Sequence, residues 1–203
     1  MFLKYMLCQG KGPESKLAEE SMEEMERKKG RLEGEAVYLR LMEAEDTDDI
    51  IRWRNTDFVR RNFIYQKPFT RQGHENWIKN MIETGKVVQF MICRQVDGRP
   101  VGSVYLRDID REHGKAEYGI FIGEREALSK GYGTEAAKMM IEYAFKEEGL
   151  HKLMLRVLAE NKQAVRSYEK AGFVKEAYLK DEVFLDGRYK DVIYMAVIND
   201  NNL

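Results

Sequence analysis

The chain has 203 residues, 43% apolar and 11% aromatic, enough for one sizeable core plus an extension. Lys and Arg total 34 against 35 Asp and Glu, so a net charge of −1 supplies no whole-molecule field toward nucleic acid or an anionic membrane, and neither partner is expected. Cys8 and Cys93 lie far apart with no CxxC or Cys/His cluster, so no disulfide framework and no metal site are expected, and a reducing cytoplasm is the simplest setting. No apolar run reaches the ~18 residues of a membrane span. The apolar start, MFLKYMLC, runs into a stretch too polar for a signal peptide.

Residues 1–34 read as a charged extension, either a solvated helix with a thin apolar seam at Leu17, Met22 and Met25 or a disordered leader. The main domain is expected over 35–203. AVYLRLME alternates as a strand. DTDDIIRWRN starts a helix, with Asp46 or Thr47 as its N-cap. RQGHENWIKNMIETG is a second helix, ended by Gly85. VVQFMICRQ and RPVGSVYLRDID are strands separated by the turn signal VDGR, and KAEYGIFIG is a third. GTEAAKMMIEYAFKEEG is a helix in which Ala136, Met139, Met140, Tyr143 and Ala144 share a face and Gly149 stops the run. HKLMLRVLAE is a strand and NKQAVRSYEKAG a helix closed by Gly172. FVKEAYLKDEVFLDG and RYKDVIYMAVI pair as a hairpin through Asp186-Gly187. The order predicts a mixed α/β sheet, not the regular βαβ repeat of a doubly wound fold.

Chemistry concentrates in two segments. In the first, strand KAEYGIFIG delivers the chain to loop EREALSKGYG, and a helix follows at once. The first amides of a helix lack internal partners and its dipole makes that end positive, so glycines there form a receptor for a pyrophosphate. Lys130 could add positive charge. The spacing is neither a nucleotide P-loop nor a dinucleotide fingerprint, and a plain capping turn is the simpler role. In the second segment, LAENKQAVRSYEKAGF, Asn161 stands at a strand-to-helix junction as an N-cap candidate. Tyr168 lies on the helix with Ala164, Ala171 and Phe173, where core packing is its simpler role.

Together, SKGYGTEA and AENKQAVRSYEKAGF resemble the acyl-CoA pyrophosphate loop, [QR]xxGx[GA], and the second motif, NxxAxxxYxxxGF, of the GNAT acetyltransferases. GIFIGE…KGYGTEA resembles the subgroup that acetylates ribosomal-protein alanine, spermidine or amino sugars. The [QR] position is Leu128, followed by Ser129, which leaves the backbone cradle without that side chain.

The resemblance covers about residues 36–198 and implies a mostly antiparallel central sheet flanked by helices, with acetyl-CoA as cosubstrate and no metal. It implies that Phe121, Ile122 and Gly123 run beside the pantetheine. Lys130, Gly131, Tyr132, Gly133 and Thr134 would hold the pyrophosphate, Asn161 the pantetheine arm or a water. Tyr168 would be general acid and Glu117 general base, with Glu160 and then His74 or His113 as lesser candidates. The acceptor is a small-molecule or peptide amine. Resemblances in WRN and in His74–Trp77 favour a nucleotide-linked amino sugar, and the terminal hairpin resembles that of polyamine acetyltransferases. A protein N-terminus, a catalytically inactive acyl-CoA-binding module and a nucleotide-binding protein remain as alternatives, with a homodimer as the assembly considered.

Overall fold

The structure, a computed structural model, describes residues 30–200; the charged extension therefore lies outside the described residues except for its last few. Strand β1 (Leu32–Glu33), within the stretch read as the extension, pairs with Leu39 and Tyr38. Strand β2 (Val37–Leu41) leads through a 3-10 turn, Ala44–Asp46, to helix α1 (Thr47–Asn55), a short helix α2 (Asp57–Arg60) and helix α3 (Arg71–Trp77). Three strands follow, β3 (Val88–Arg94), β4 (Pro100–Asp110) and β5 (Lys115–Ile122). Then come helix α4 (Tyr132–Lys146), β6 (Lys152–Leu158), helix α5 (Lys162–Ala171), β7 (Val174–Leu185) and β8 (Arg188–Ile198).

Among the described residues the strands form one eight-stranded sheet in the order β1-β2-β3-β4-β5-β6-β8-β7. All pairs are antiparallel except β5–β6. The mixed, mostly antiparallel sheet with flanking helices is the expected fold class.

Alternation along the strands sends side chains to two cores. On β3, Phe90 and Ile92 join one cluster, while Met91 and Cys93 join the other. The first core holds the buried face of α4, including Ala136, Met140 and Ala144, and part of α5. The second holds Ile50 and Trp53 of α1, Val59 of α2 and Phe121 of β5. The sheet is thus covered on both faces, with α4 and α5 on one and α1–α3 on the other.

Local differences from expectation have plain causes. Asp46 does not cap α1 with its side chain; its carboxylate binds the Arg40 guanidinium at 2.6 and 2.7 Å and accepts from the Glu43 amide. The helix expected from Arg71 to Gly85 ends as an α-helix at Trp77 and continues as a π turn, Ile78–Ile82. The Asp186-Gly187 turn has φ of 51° and 76°, the two left-handed residues that a tight two-residue hairpin requires.

Candidate active site

β5 and β6 pair only at Lys115, Ala116 and Glu117, opposite Lys152, Leu153 and Met154. Beyond Glu117 each strand stays with its outer partner: β5 remains on β4 to Ile122, and β6 remains on β8 to Leu158. The sheet therefore splits into a wedge whose inner edges are unpaired main chain. A cavity of about 1240 Å³ occupies this wedge and opens to both faces of the sheet, with Ile120, Ile122, Leu155 and Val157 on its walls.

On the α4 face the wall is the turn entering that helix. Gly131 is the N-cap, with φ +86°, a left-handed conformation that glycine adopts without steric cost. Its carbonyl accepts from the amides of Thr134 and Glu135, both at 3.0 Å. The amides of Tyr132 and Gly133, one residue nearer the end, have no acceptor within the helix and carry the positive end of its dipole. A Cβ on Gly133 would stand 3.9–4.0 Å from Ile122, Ser167 and Ile120, in the space beside the wedge. That combination of free amides, positive dipole and absent side chain fits a diphosphate.

Helix α5 forms the facing wall. Asn161 is its N-cap, the Oδ1 accepting from the Ala164 amide at 3.1 Å, which leaves its Nδ2 for the cavity it lines. Thr134 and Ser167 join the two walls through their hydroxyls at 2.8 Å. At the next residue, the Tyr168 ring stands edge-on to Tyr118 and Phe173, with centroids 6.1 and 6.0 Å away. Burial raises the pKa of its hydroxyl above the phenol range, and the nearby Tyr105 adds to the rise.

Across the split, on the α1–α3 face, stand groups that sequence reasoning missed. Tyr105 of β4 lies opposite Gly119 and covers it so closely that a Cβ there would meet the ring at 2.3 Å. Arg107 lies opposite Glu117 and donates to its Oε1 at 2.6 Å, and Arg156 of β6 donates to Oε2 at 3.3 Å. In sequence, Tyr105 and Arg107 are ordinary outward positions of an alternating strand. Only the register to Gly119 and Glu117 draws them into the site.

His74, expected in a polar helix context, turns inward instead: it is buried on the cavity wall with Nδ1 3.2 Å from the Thr47 hydroxyl. Burial, aided by the charge of Arg71, lowers its pKa.

Of the residues read from sequence, Glu117, Phe121, Ile122, Gly131, Tyr132, Gly133, Thr134, Asn161 and Tyr168 share this one cavity. Lys130 and Gly123 do not line it. Lys130 is exposed, and Gly123 is covered by the Trp53 ring, whose indole N–H donates to Glu124 at 3.0 Å. Phe121 turns its ring to the α1 side, beside Trp53 and Phe63, so its main chain rather than its side chain faces the wedge. Glu160 is tied to Arg188 and Lys190 away from the cavity, and His113 is exposed beside Asp110. Among the described residues no group of three or more His, Cys, Asp or Glu could hold a metal ion, and no helix is long and apolar enough to cross a membrane.

A split mixed sheet, a glycine turn at a helix N-terminus and a tyrosine on the facing helix define an acyl-CoA-dependent transferase. Residues 36–174 match the acetyltransferase (GNAT) domain, and the chain belongs to the GNAT acetyltransferase family. It is an N-acetyltransferase with acetyl-CoA as cosubstrate. It is 32% identical to the spermidine N(1)-acetyltransferase of Escherichia coli K12 over 83% of this chain and 89% of that one. It is 25% identical to the ribosomal protein uS5-alanine N-acetyltransferase of the same organism, over 83% and 91%. The crystal structure of the Vibrio cholerae spermidine N-acetyltransferase with CoA and spermine superposes with a TM-score of 0.75 at 29% identity, covering 80% of this chain and 95% of that one.

Proposed function

We propose that this enzyme moves the acetyl group of acetyl-CoA directly to the primary amine of a small molecule, with Tyr168 as general acid. The observation that carries this reading is the wedge itself, which joins the Gly131–Gly133 turn to Tyr168 within one cavity. Acetyl-CoA supplies an activated thioester. The residues do the rest: the amides of Tyr132 and Gly133 grip the diphosphate, and the unpaired edge of β5 from Gly119 to Ile122 lies along the pantetheine as an added strand would. An amide of that edge polarises the thioester carbonyl as charge gathers on its oxygen. Tyr168, held protonated across the working pH range, gives its hydrogen bond and then its proton to the departing sulfur.

An alkylamine has a pKa of about 10.4, so a base must take a proton before or during attack. Glu117 is the carboxylate on the cavity wall, and it is the base in this reading. Both its oxygens are engaged by arginines, so it acts through a water at the wedge. Glu117→Gln should then lower turnover and leave acetyl-CoA binding in place.

The amine is the open choice. A nucleotide-linked amino sugar is the acceptor suggested by the WRN and His74–Trp77 segments. A polyamine is favoured by the relatives, among which spermidine acetyltransferases are prominent. The reading places the enzyme in the cytoplasm, where its cosubstrate is made and used. Copies associate in this reading through the β7–β8 hairpin, whose Phe184 and Tyr189 are exposed and in mutual ring contact at 5.1 Å. A V. cholerae relative has been solved as a dodecamer.

The test is thiol release from acetyl-CoA with a panel of primary amines, alongside thermal shift with CoA and with ATP. Amine-dependent release together with stabilisation by CoA supports the reading; stabilisation by ATP alone would overturn it.

A further inference from the structure

Arg54, at the end of α1, is a buried charged group that the proposed transfer chemistry leaves unused. It is 8% exposed, yet it stands on the cavity wall, on the sheet face opposite the glycine turn. Its guanidinium sits 3.3 Å above the centre of the Phe63 ring and within 6 Å of Phe69 and Phe121, at 4.8 and 5.9 Å. Nη2 makes one long contact to the Tyr65 carbonyl at 3.5 Å, and Nη1 is buried with no hydrogen-bond partner. No carboxylate among the described residues pairs with it. The rings account for its apolar surroundings but offer no anion, and a buried charge without a counter-ion is unfavourable until one arrives.

Its neighbours do not correct this balance. Arg107, the nearest charged group on β4, is already committed to Glu117, as is Arg156. Burial and the charge of Arg107 bring the Arg54 pKa down to about 10, so it remains a cation at neutral pH. Around the whole cavity, among the described residues, Arg54, Arg61, Arg107, Arg125, Arg156, Arg166 and Lys170 face one carboxylate, Glu117. Arg166 and Lys170 belong to the helix on the diphosphate side, whereas Arg54 and Arg107 lie across the sheet from it, together with Arg61, which follows α2, and Arg125, whose guanidinium stands 4.4 Å from the centre of the Phe58 ring of α2.

We propose that Arg54, backed by Arg107, receives an anionic group of the acceptor, so that the molecule acetylated is a primary amine that also bears a carboxylate or a phosphate. This rests on the acetyl-transfer reading above and narrows its acceptor. The same arrangement disfavours a polyamine, whose cationic chain would face both arginines. It also favours the neutral amine, since nearby positive charge lowers an ammonium pKa, and only the neutral amine attacks.

The experiment measures kcat/KM by thiol release on wild-type enzyme with four acceptors: an amino acid, an amino-sugar phosphate, the neutral amino sugar, and spermidine. One of the anionic amines should exceed both the neutral amino sugar and spermidine by about 10- to 100-fold, the value of a charged hydrogen-bonded contact. Which one leads tells whether the group is carboxylate or phosphate. In Arg54→Met, that preference for the anionic acceptor should fall by a similar factor through KM, with KM for acetyl-CoA unmoved and the melting temperature kept or raised. A preference for spermidine or the neutral sugar in the wild type overturns the proposal while the acetyl-transfer reading stands. An Arg54→Met variant that melts lower with its preference unchanged makes the arginine structural and also overturns it. No thiol release with any amine, combined with no stabilisation by CoA, sinks both readings. Should Arg54→Met not fold, the wild-type comparison decides alone.

Discussion

The rings of Tyr118 and Tyr168 meet edge to face, their centroids 6.1 Å apart at 88°. Tyr118 rises from β5 and Tyr168 descends from α5, so the contact spans the two walls of the wedge and fixes where the Tyr168 hydroxyl stands. Aromatic pairs of this geometry contribute about 0.5–1.5 kcal/mol beyond area burial, and here that contact also sets a position. Tyr168→Phe keeps the ring and removes the proton. Turnover should drop by about 10²-fold or more, with the CoA-induced thermal shift unchanged. Unaltered kcat would remove Tyr168 from the mechanism.

Tyr118 makes the opposite prediction. Its hydroxyl is buried and has no hydrogen-bond partner among the described residues, a cost of about 1–3 kcal/mol. Tyr118→Phe should therefore stabilise the protein, raising the melting temperature by roughly 2–4 °C per kcal/mol for a chain of this size. Scanning calorimetry checks it. A lower melting temperature would mean that the hydroxyl has a partner in solution.

At Gly133 the added Cβ itself meets only ordinary contacts, but a longer side chain would grow into the space beside Ile120, Ile122 and Ser167. Gly133→Val should raise KM for acetyl-CoA by about tenfold or more, because it takes the place of the diphosphate, while costing no helix propensity, since glycine is a poorer helix former than valine. Gly131→Ala should instead destabilise the fold by about 1–2 kcal/mol, since its φ of +86° is left-handed. Paired measurements of KM and unfolding free energy separate the two effects.

Stability should depend on pH in two windows. His74 is held neutral by burial, whereas the unfolded chain takes up a proton near pH 6.5, so its contribution is present above that pH and is lost as pH falls through and below it. Burial raises the hydroxyls of Tyr105, Tyr118 and Tyr168, so their contribution is present below about pH 10 and is lost above it. Burial also raises the Cys93 thiol, so its contribution is lost as pH rises above about 8.5, and the melting temperature should be flat only from about pH 6.5 to that point. His74→Asn should flatten the slope between about pH 6.5 and 5; an identical slope in the variant would assign it to other groups.

Local sequence signals were sufficient for most elements. The alternation in Val88–Arg94, the i, i+3, i+4 face of Ala136–Ala144, the Asp186-Gly187 turn and Gly172 as helix stop are each set by residues near one another in the chain. The π turn after Trp77 and the inward turn of His74 were not legible, because they depend on what α3 packs against. Lys130 neighbours Gly131 in sequence, yet the turn leaves it exposed and off the cavity wall.

The sequence alone therefore determined the main elements, their order and the glycine turn that begins α4, since capping, turn geometry and period are properties of short segments. Tertiary structure decided that β5 and β6 part after Glu117, that Tyr105 and Arg107 enter the site, and that Arg54 is buried with no carboxylate partner among the described residues. Those facts arise from register and burial between segments distant in the chain, and no local pattern encodes which charge is buried beside the cavity or which strand edge is left open.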